Sequence, residues 1–453
     1  MVPTTNKTKD RRQARRKTSH KNLRIKNGHM SRREEPEISG QELSALLAPI
    51  TPEVFIAEYW GRKPLFIKGD PDKLRRLIPG GFTSDDFHRI VRDGAAQKIS
   101  RMVISESSDP TDAIFVAGRN RALEAIRDPW LATIAAALKT QLGHLGEAHF
   151  AASLSKQNTG WPPHVDKASI LSFQCEGSKR FVISSQPVVE WPRGSIDFQD
   201  DGTVASYVYN PEPWEEIERV DLSALMEVVM EPGDILYWPA GTLHSTQAIS
   251  PTTLNLNLAF HHANFLELIT RTLEGMLISN PSWRHLLPIS AVSAPGRLPV
   301  DIVEFFAARL AELRDTLDTL SPEALELNRE WHKLVADPGE EMLACLPLNP
   351  IERVSKPILR KEVLRRSKKA AMTYAEGTDQ DGDPVFYLFF ANREVCIGGE
   401  WTPFLRTLAE QEEFIAESAT QWAAGGRRYP WETVREYLET LLAQGFIERA
   451  TRH

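Results

Sequence analysis

Cysteine is scarce. The three cysteines of this 453-residue chain, Cys175, Cys345 and Cys396, are far apart, lack metal-type spacing and leave an odd count, which argues against a disulfide framework and for a reducing compartment. Their default role is that of small hydrophobes. Long apolar runs are missing too: none approaches the roughly 20 residues of a membrane-spanning helix, and the leading residues hold no apolar signal core. A membrane role is set aside and a cytoplasmic location is expected. A positive overall balance is also absent, the formal net charge being −7. Hydrophobic residues at 42% and charged residues at 25% exclude a fibrous or wholly disordered chain.

The charge is unevenly placed. Residues 1–35 carry twelve Lys or Arg against three Asp or Glu, a net of +9 that leaves −16 on the acidic remainder. With so few apolar residues this leader cannot offset the entropy of ordering and is expected to be disordered. Three readings of it stay open: a tether to nucleic acid or the ribosome, a solvated leader, and an over-extended start with Met30 as the initiator. The length suggests about two to four domains. Three are expected beyond the leader: 36–263, 264–341 and 342–453.

What is present centres on Trp161-Pro162-Pro163-His164-Val165-Asp166. In extended chain, residues two apart share a face, so His164 and Asp166 can offer an imidazole nitrogen and a carboxylate oxygen to one ion. A third ligand comes from His244, which follows the turn Glu231-Pro232-Gly233-Asp234 and the apolar run Ile235-Leu236-Tyr237-Trp238. Two histidines and one carboxylate leave open positions on an octahedral iron(II). Zinc shares these ligand types. The strand carrying His164 is predicted to run over 164–173, reverse at Glu176-Gly177-Ser178 and continue over 179–184. Residues 253–260 alternate strictly, which places Leu254, Leu256 and Leu258 against a packed layer and Asn255, Asn257 and Ala259 toward the interior. Buried amides need partners, and a polar cosubstrate would supply them.

In their order and spacing, Gly160, Pro163, His164, Asp166, Gln174, Glu176, Gly177, Lys179, the Glu231-Pro232-Gly233-Asp234 turn, Tyr237, Pro239, Gly241 and His244 resemble the JmjC-type ribosomal oxygenases. The resemblance implies an α+β fold with a double-stranded β-helix (a JmjC or cupin-like jelly roll), a helical dimerisation region and a C-terminal winged-helix-like module. It implies iron(II) at His164, Asp166 and His244, with 2-oxoglutarate and O2 as cosubstrates. Oxidative decarboxylation of 2-oxoglutarate to succinate would be coupled to hydroxylation of a side chain. Lys179, fifteen residues after His164, stands where that family places the basic partner of the distal cosubstrate carboxylate. Asn257 and Asn255 are the next candidates for cosubstrate contacts. The chain departs from the family in offering Ala259 where a hydroxyl residue is expected and Ser153 in place of an Asn and Tyr pair.

Residues 187–224, between the ligand-bearing strands, read as an insertion at the mouth of the site, where Trp161, Trp191, Tyr207, Tyr209 and Trp214 are candidate groove residues. Strand is predicted at 113–116 and helix at 84–91 and 130–142. The apolar stripes at 264–336, Phe265, Leu268, Ile269 and Leu273, then Val303, Phe306, Leu310, Leu313 and Leu317, suit an intrachain bundle or a homodimer, and the resemblance favours the homodimer. The last helix holds Glu432, Glu436 and Glu439 against Arg435, so direct nucleic-acid binding is not expected. Three functions are therefore in play: a hydroxylase acting on a protein or peptide, a tailoring oxygenase for a small peptide or metabolite, and a non-catalytic cupin-like binding protein.

Overall fold

Strands whose side chains alternate between a helix-covered face and an inner layer build two facing antiparallel sheets. The computed structural model describes residues 38–78, 80–99, 121–213, 216–287, 297–318, 320–321, 326–346, 356–378 and 382–450. The basic leader, the strand expected at 113–116 and Trp214 lie outside the described residues.

The entry comprises α1 (Glu42–Leu47), α2 (Pro52–Glu58), β1 (Leu65–Ile67), α3 (Pro71–Leu77), α4 (Ser84–Asp93), β2 (Ala96–Ile99), β3 (Arg121–Ile126) and α5 (Pro129–Leu142). Local chemistry sets these helices. Thr51, Asp70 and Asp128 cap α2, α3 and α5 through side-chain oxygens, each with proline in the first turn. Thr83 and Asp86 close a capping box on α4, and α5 ends at the left-handed Gly143.

Next come β4 (Ala148–Lys156), β5 (His164–Val165), β6 (Ser169–Glu176), β7 (Lys179–Ser184), β8 (Ile196–Phe198), β9 (Val204–Tyr207), β10 (Leu225–Met230), β11 (Ile235–Trp238), β12 (His244–Ala248) and β13 (Thr252–Phe260). One sheet has the order β1-β11-β6-β13-β4-β3-β2 and the other β10-β7-β12-β5-β8-β9. Successive strands β4 to β7 and β10 to β13 alternate between the sheets, the cupin-like arrangement, while β8 and β9 from the insertion extend the edge beside β5. The continuous strand expected at 164–173 is in fact two. β5 pairs with β8 and β12, whereas β6 pairs with β11 and β13, so the chain crosses from sheet to sheet at 166–168.

Leu254, Leu256 and Leu258 of β13 join Leu171, Phe173 and Tyr237 on the outer face, packed with Phe55, Leu131, Ile134 and Leu138 of the helices. Each such burial contributes about 1.5–3 kcal/mol. The opposite face is the inter-sheet layer. There Ile170, Leu236, Trp238 and Ala259 of one sheet meet Phe181, Ile183 and Met230 of the other.

Beyond the barrel, α6 (Phe265–Ser279), α7 (Val300–Leu317), α8 (Leu327–Ala336) and α9 (Glu340–Leu343) bear out the helical reading of this stretch. Lys139 of α5 anchors α8. Its buried ammonium donates to the carbonyls of Leu334, Val335 and Asp337 at 3.2, 3.0 and 2.6 Å, satisfying orphan acceptors at that helix end.

The C-terminal region contains β14 (Val363–Arg366), β15 (Met372–Thr378), β16 (Pro384–Phe390), β17 (Arg393–Gly398), α10 (Thr402–Glu410), β18 (Glu413–Ile415), α11 (Trp431–Ala443) and β19 (Ile447–Arg449). The hairpin of β16 and β17 gains β15 as a third strand. Phe414 lies on β18 opposite Leu364. The reason is local: Gln411 is extended and ends α10, and the short segment that follows completes the sheet β18-β14-β19.

Candidate metal centre and cosubstrate pocket

His164 and His244 face each other across β5 and β12 as register partners, with ring centroids 4.1 Å apart. Each ring is oriented by its own chain. His164 Nδ1–H donates to Pro162 O at 2.8 Å and His244 Nδ1–H to Thr242 O at 3.0 Å, which leaves both Nε2 lone pairs inward. Asp166 stands just past the end of β5, where the two-residue spacing still brings it to the same spot. Its Oδ2 is 3.8 Å from His164 Nε2 and 3.7 Å from His244 Nε2. One ligand atom from each of the three lies within 4.8 Å of the others, so the cluster can hold one metal ion.

Neighbouring groups fix the carboxylate. Ser195 Oγ donates to Asp166 Oδ1 at 3.0 Å, and Gly241 N–H donates to the Asp166 carbonyl at 2.9 Å. Burial pushes the Asp166 carboxyl up, but His164, His244 and the Ser195 hydrogen bond outweigh it and hold the group below its ordinary value. Burial, then the neighbouring His164, lowers His244 well below the usual histidine range, so its imidazole is neutral and its lone pair free. Two glycines let the backbones approach closely enough. A Cβ on Gly160 would meet Thr246 O at 1.5 Å, and one on Gly241, whose φ is +76°, would meet Val189 O at 1.8 Å.

The inter-sheet layer becomes polar beside this cluster. Ser172 and Gln174 continue the row of Ile170, Asn255 and Asn257 that of Ala259, and Lys179 that of Phe181, all at the two-residue period that keeps one face. Lys179 is 2% exposed, and its Nζ donates to Ser153 Oγ at 3.4 Å. Among the described residues no carboxylate pairs with it, and burial pushes its ammonium down to about 7. Four buried atoms of the layer have no protein partner among the described residues: Ser172 Oγ, Trp238 Nε1, Asn255 Oδ1 and Asn257 Oδ1. Such orphans are costly in a protein interior unless a bound polar molecule meets them. Of these groups, Ser172 Oγ and Trp238 Nε1 can donate, and with Lys179 Nζ they fit a small anionic ligand beside a divalent metal.

Residues 142–268 match the family model for the JmjC domain. They are a JmjC domain. The chain is 25% identical over 308 residues to the uncharacterised protein YxbC of Bacillus subtilis, covering 62% of this chain and 89% of that one. It is 26% identical over 290 residues to ribosomal oxygenase 1 of Gallus gallus, covering 57% and 44%, and so spans under half the length of that relative. Among solved structures, Escherichia coli YcfD is similar with a TM-score of 0.49 and 16% identity, over 88% of this chain and 98% of that one.

Within the JmjC domain the structure brings His164, Asp166 and His244 together in the cluster and sets Lys179, Asn255 and Asn257 on the polar side of the layer. Sequence reasoning missed Ser195, Ser172 and Trp238. Ser172 was open to discovery, because it lies two residues before Gln174 and two after Ile170 on one strand face. Ser195 carried no signal, since it reaches Asp166 only through the pairing of β8 with β5.

Proposed function

We propose that this chain is an iron(II)- and 2-oxoglutarate-dependent oxygenase that hydroxylates a side chain of a protein or peptide, a ribosomal protein being the first candidate. The observation that carries the reading is one inter-sheet layer holding both the His164, Asp166 and His244 cluster and a buried lysine with no counter-ion among the described residues. His164, Asp166 and His244 would hold the iron; Lys179, with Asn255 and Asn257, would receive the cosubstrate. Iron(II) with 2-oxoglutarate and O2 supplies the oxidising chemistry for placing oxygen on a C–H bond. This chain's own residues bind and orient: the Nδ1–H bonds of the two histidines aim their lone pairs, Ser195 holds the carboxylate, and the Lys179 ammonium pairs with an anion. Phe181, Trp238 and Ile183 keep water from that end. The names of the ribosomal oxygenase relatives support the substrate class.

Anaerobic addition of iron(II) and 2-oxoglutarate is expected to raise the visible charge-transfer band of the chelate. In air, succinate should form and a ribosomal protein gain the mass of one oxygen atom. A folded protein that gives no band would overturn the oxygenase reading; a band with oxygen gained only by a small molecule would move the substrate.

On the same reading, 36–263 is the catalytic domain, 264–341 a dimerisation region, 342–453 a winged-helix-like module for protein docking, and the location cytoplasmic. No helix among the described residues is long and apolar enough to cross a membrane. Phe265 and Leu266 of α6 and Val300, Val303, Phe306 and Leu310 of α7 are exposed apolar side chains that a second copy of the chain would cover. Sedimentation equilibrium should read twice the chain mass, and a mass that stays at one chain at micromolar concentration would remove the dimer.

A further inference from the structure

Gln174 is 1% exposed, and its Nε2 donates to both Glu176 O and Gly177 O at 2.8 Å. Both amide hydrogens are thereby used, and a flipped amide would set Oε1 against two carbonyl oxygens, so its orientation is fixed. Oε1 then accepts from Asn255 Nδ2 at 2.6 Å, which fixes the second amide as well. Asn255 sits in register between Ser153 of β4 and Gln174 of β6. With Nδ2 toward Gln174, its Oδ1 turns to the Ser153 side, where Lys179 Nζ lies 3.4 Å from Ser153 Oγ. That Oδ1 is buried and has no hydrogen-bond partner among the described residues. A carbonyl acceptor repels a carboxylate and suits an ammonium.

We infer that Asn255 is a positioning residue for Lys179, its carbonyl oxygen set toward the ammonium by Gln174, so that it serves cosubstrate binding through the lysine and not by touching the carboxylate. The inference rests on the oxygenase reading and deepens its cosubstrate end. Gln174 acts twice in this arrangement. Its two donated bonds also hold the Glu176-Gly177 turn that leads into Lys179 itself. The ammonium is bonded to Ser153 in the ligand-free protein, and Asn255 Oδ1, set on that side, offers it a second acceptor.

The test is a double-mutant cycle on iron-loaded protein, with 2-oxoglutarate affinity read anaerobically from the charge-transfer band and iron(II) affinity measured separately. Asn255→Leu and Gln174→Leu should each weaken 2-oxoglutarate about tenfold while iron(II) affinity holds. In a Lys179→Ala background, Asn255→Leu should cost nothing further. An equal loss in that background would mean that Asn255 touches the cosubstrate directly, and would overturn the inference, as would no loss in the single variants. If either leucine variant fails to fold, Asn255→Ser and Gln174→Asn carry the same cycle. A wild-type protein without a band overturns the oxygenase reading and this inference with it, whereas a band with additive losses overturns the inference alone.

Discussion

Asp166→Asn should fold normally and lose iron(II) binding by more than about a hundredfold, a larger effect than altering a residue that merely orients a ligand. The substitution is isosteric, and Asn Oδ1 can still accept the Ser195 hydrogen bond that Asp166 Oδ1 accepts at 3.0 Å. What goes is the negative charge 3.7–3.8 Å from two imidazole nitrogens. Two neutral histidines and an amide oxygen hold a hard divalent ion poorly. The measurement is iron(II) or cobalt(II) titration followed by calorimetry, with circular dichroism as the control for folding. Retained affinity in a folded Asp166→Asn protein would place the metal elsewhere.

Lys179→Met carries the second large effect, and its sign differs between ligand-free and ligand-bound protein. Methionine nearly matches the lysine stem in volume and leaves no ammonium buried at 2% exposure with a serine as its one hydrogen-bond partner among the described residues. The ligand-free variant should gain about 1 kcal/mol or more at neutral pH, because an uncompensated buried charge is removed. Binding of 2-oxoglutarate should fall at least about a hundredfold, since its distal carboxylate loses its charged partner. The pH dependence follows from the lysine's shift, caused by burial, from the ordinary 10.5 to about 7. Between those values the unfolded chain binds the proton and the folded one does not. This group therefore makes ligand-free stability rise with pH from about 7 to about 10.5. Cosubstrate affinity, which requires the ammonium, should decline over the same range. Lys179→Met should abolish this lysine's share of both trends in chemical denaturation and in binding titrations at stepped pH. Unchanged cosubstrate affinity in the folded variant would remove Lys179 from the site.

Much of this was legible in the one-dimensional pattern because it depends on short-range geometry. The two-residue period of β13 separated leucines from asparagines without any knowledge of the partner strands, and the structure places Leu254, Leu256 and Leu258 in the outer core as expected. His164 and Asp166 could be joined for the same reason. Caps such as Thr83 with Asp86 and Asp128 with Pro129 are local signals too, and the helices they begin stand where the sequence places them.

Where the sequence reading failed, the deciding contact was distant. The crossing at 166–168 is set by strand partners, since both halves are extended and only pairing of β5 with β8 and of β6 with β13 separates them. The strand that holds Phe414 likewise forms against Leu364, fifty positions earlier in the chain. The sequence by itself determined which residue types could serve a metal and an anion, and which strand face each would occupy, because pleat and helix period are properties of the local backbone. Tertiary structure alone decided that His164 and His244 oppose one another, that Ser195 reaches Asp166 and that Gln174 turns the Asn255 amide. Each depends on register between strands remote in sequence, which pairing and burial fix only once the whole sheet has closed.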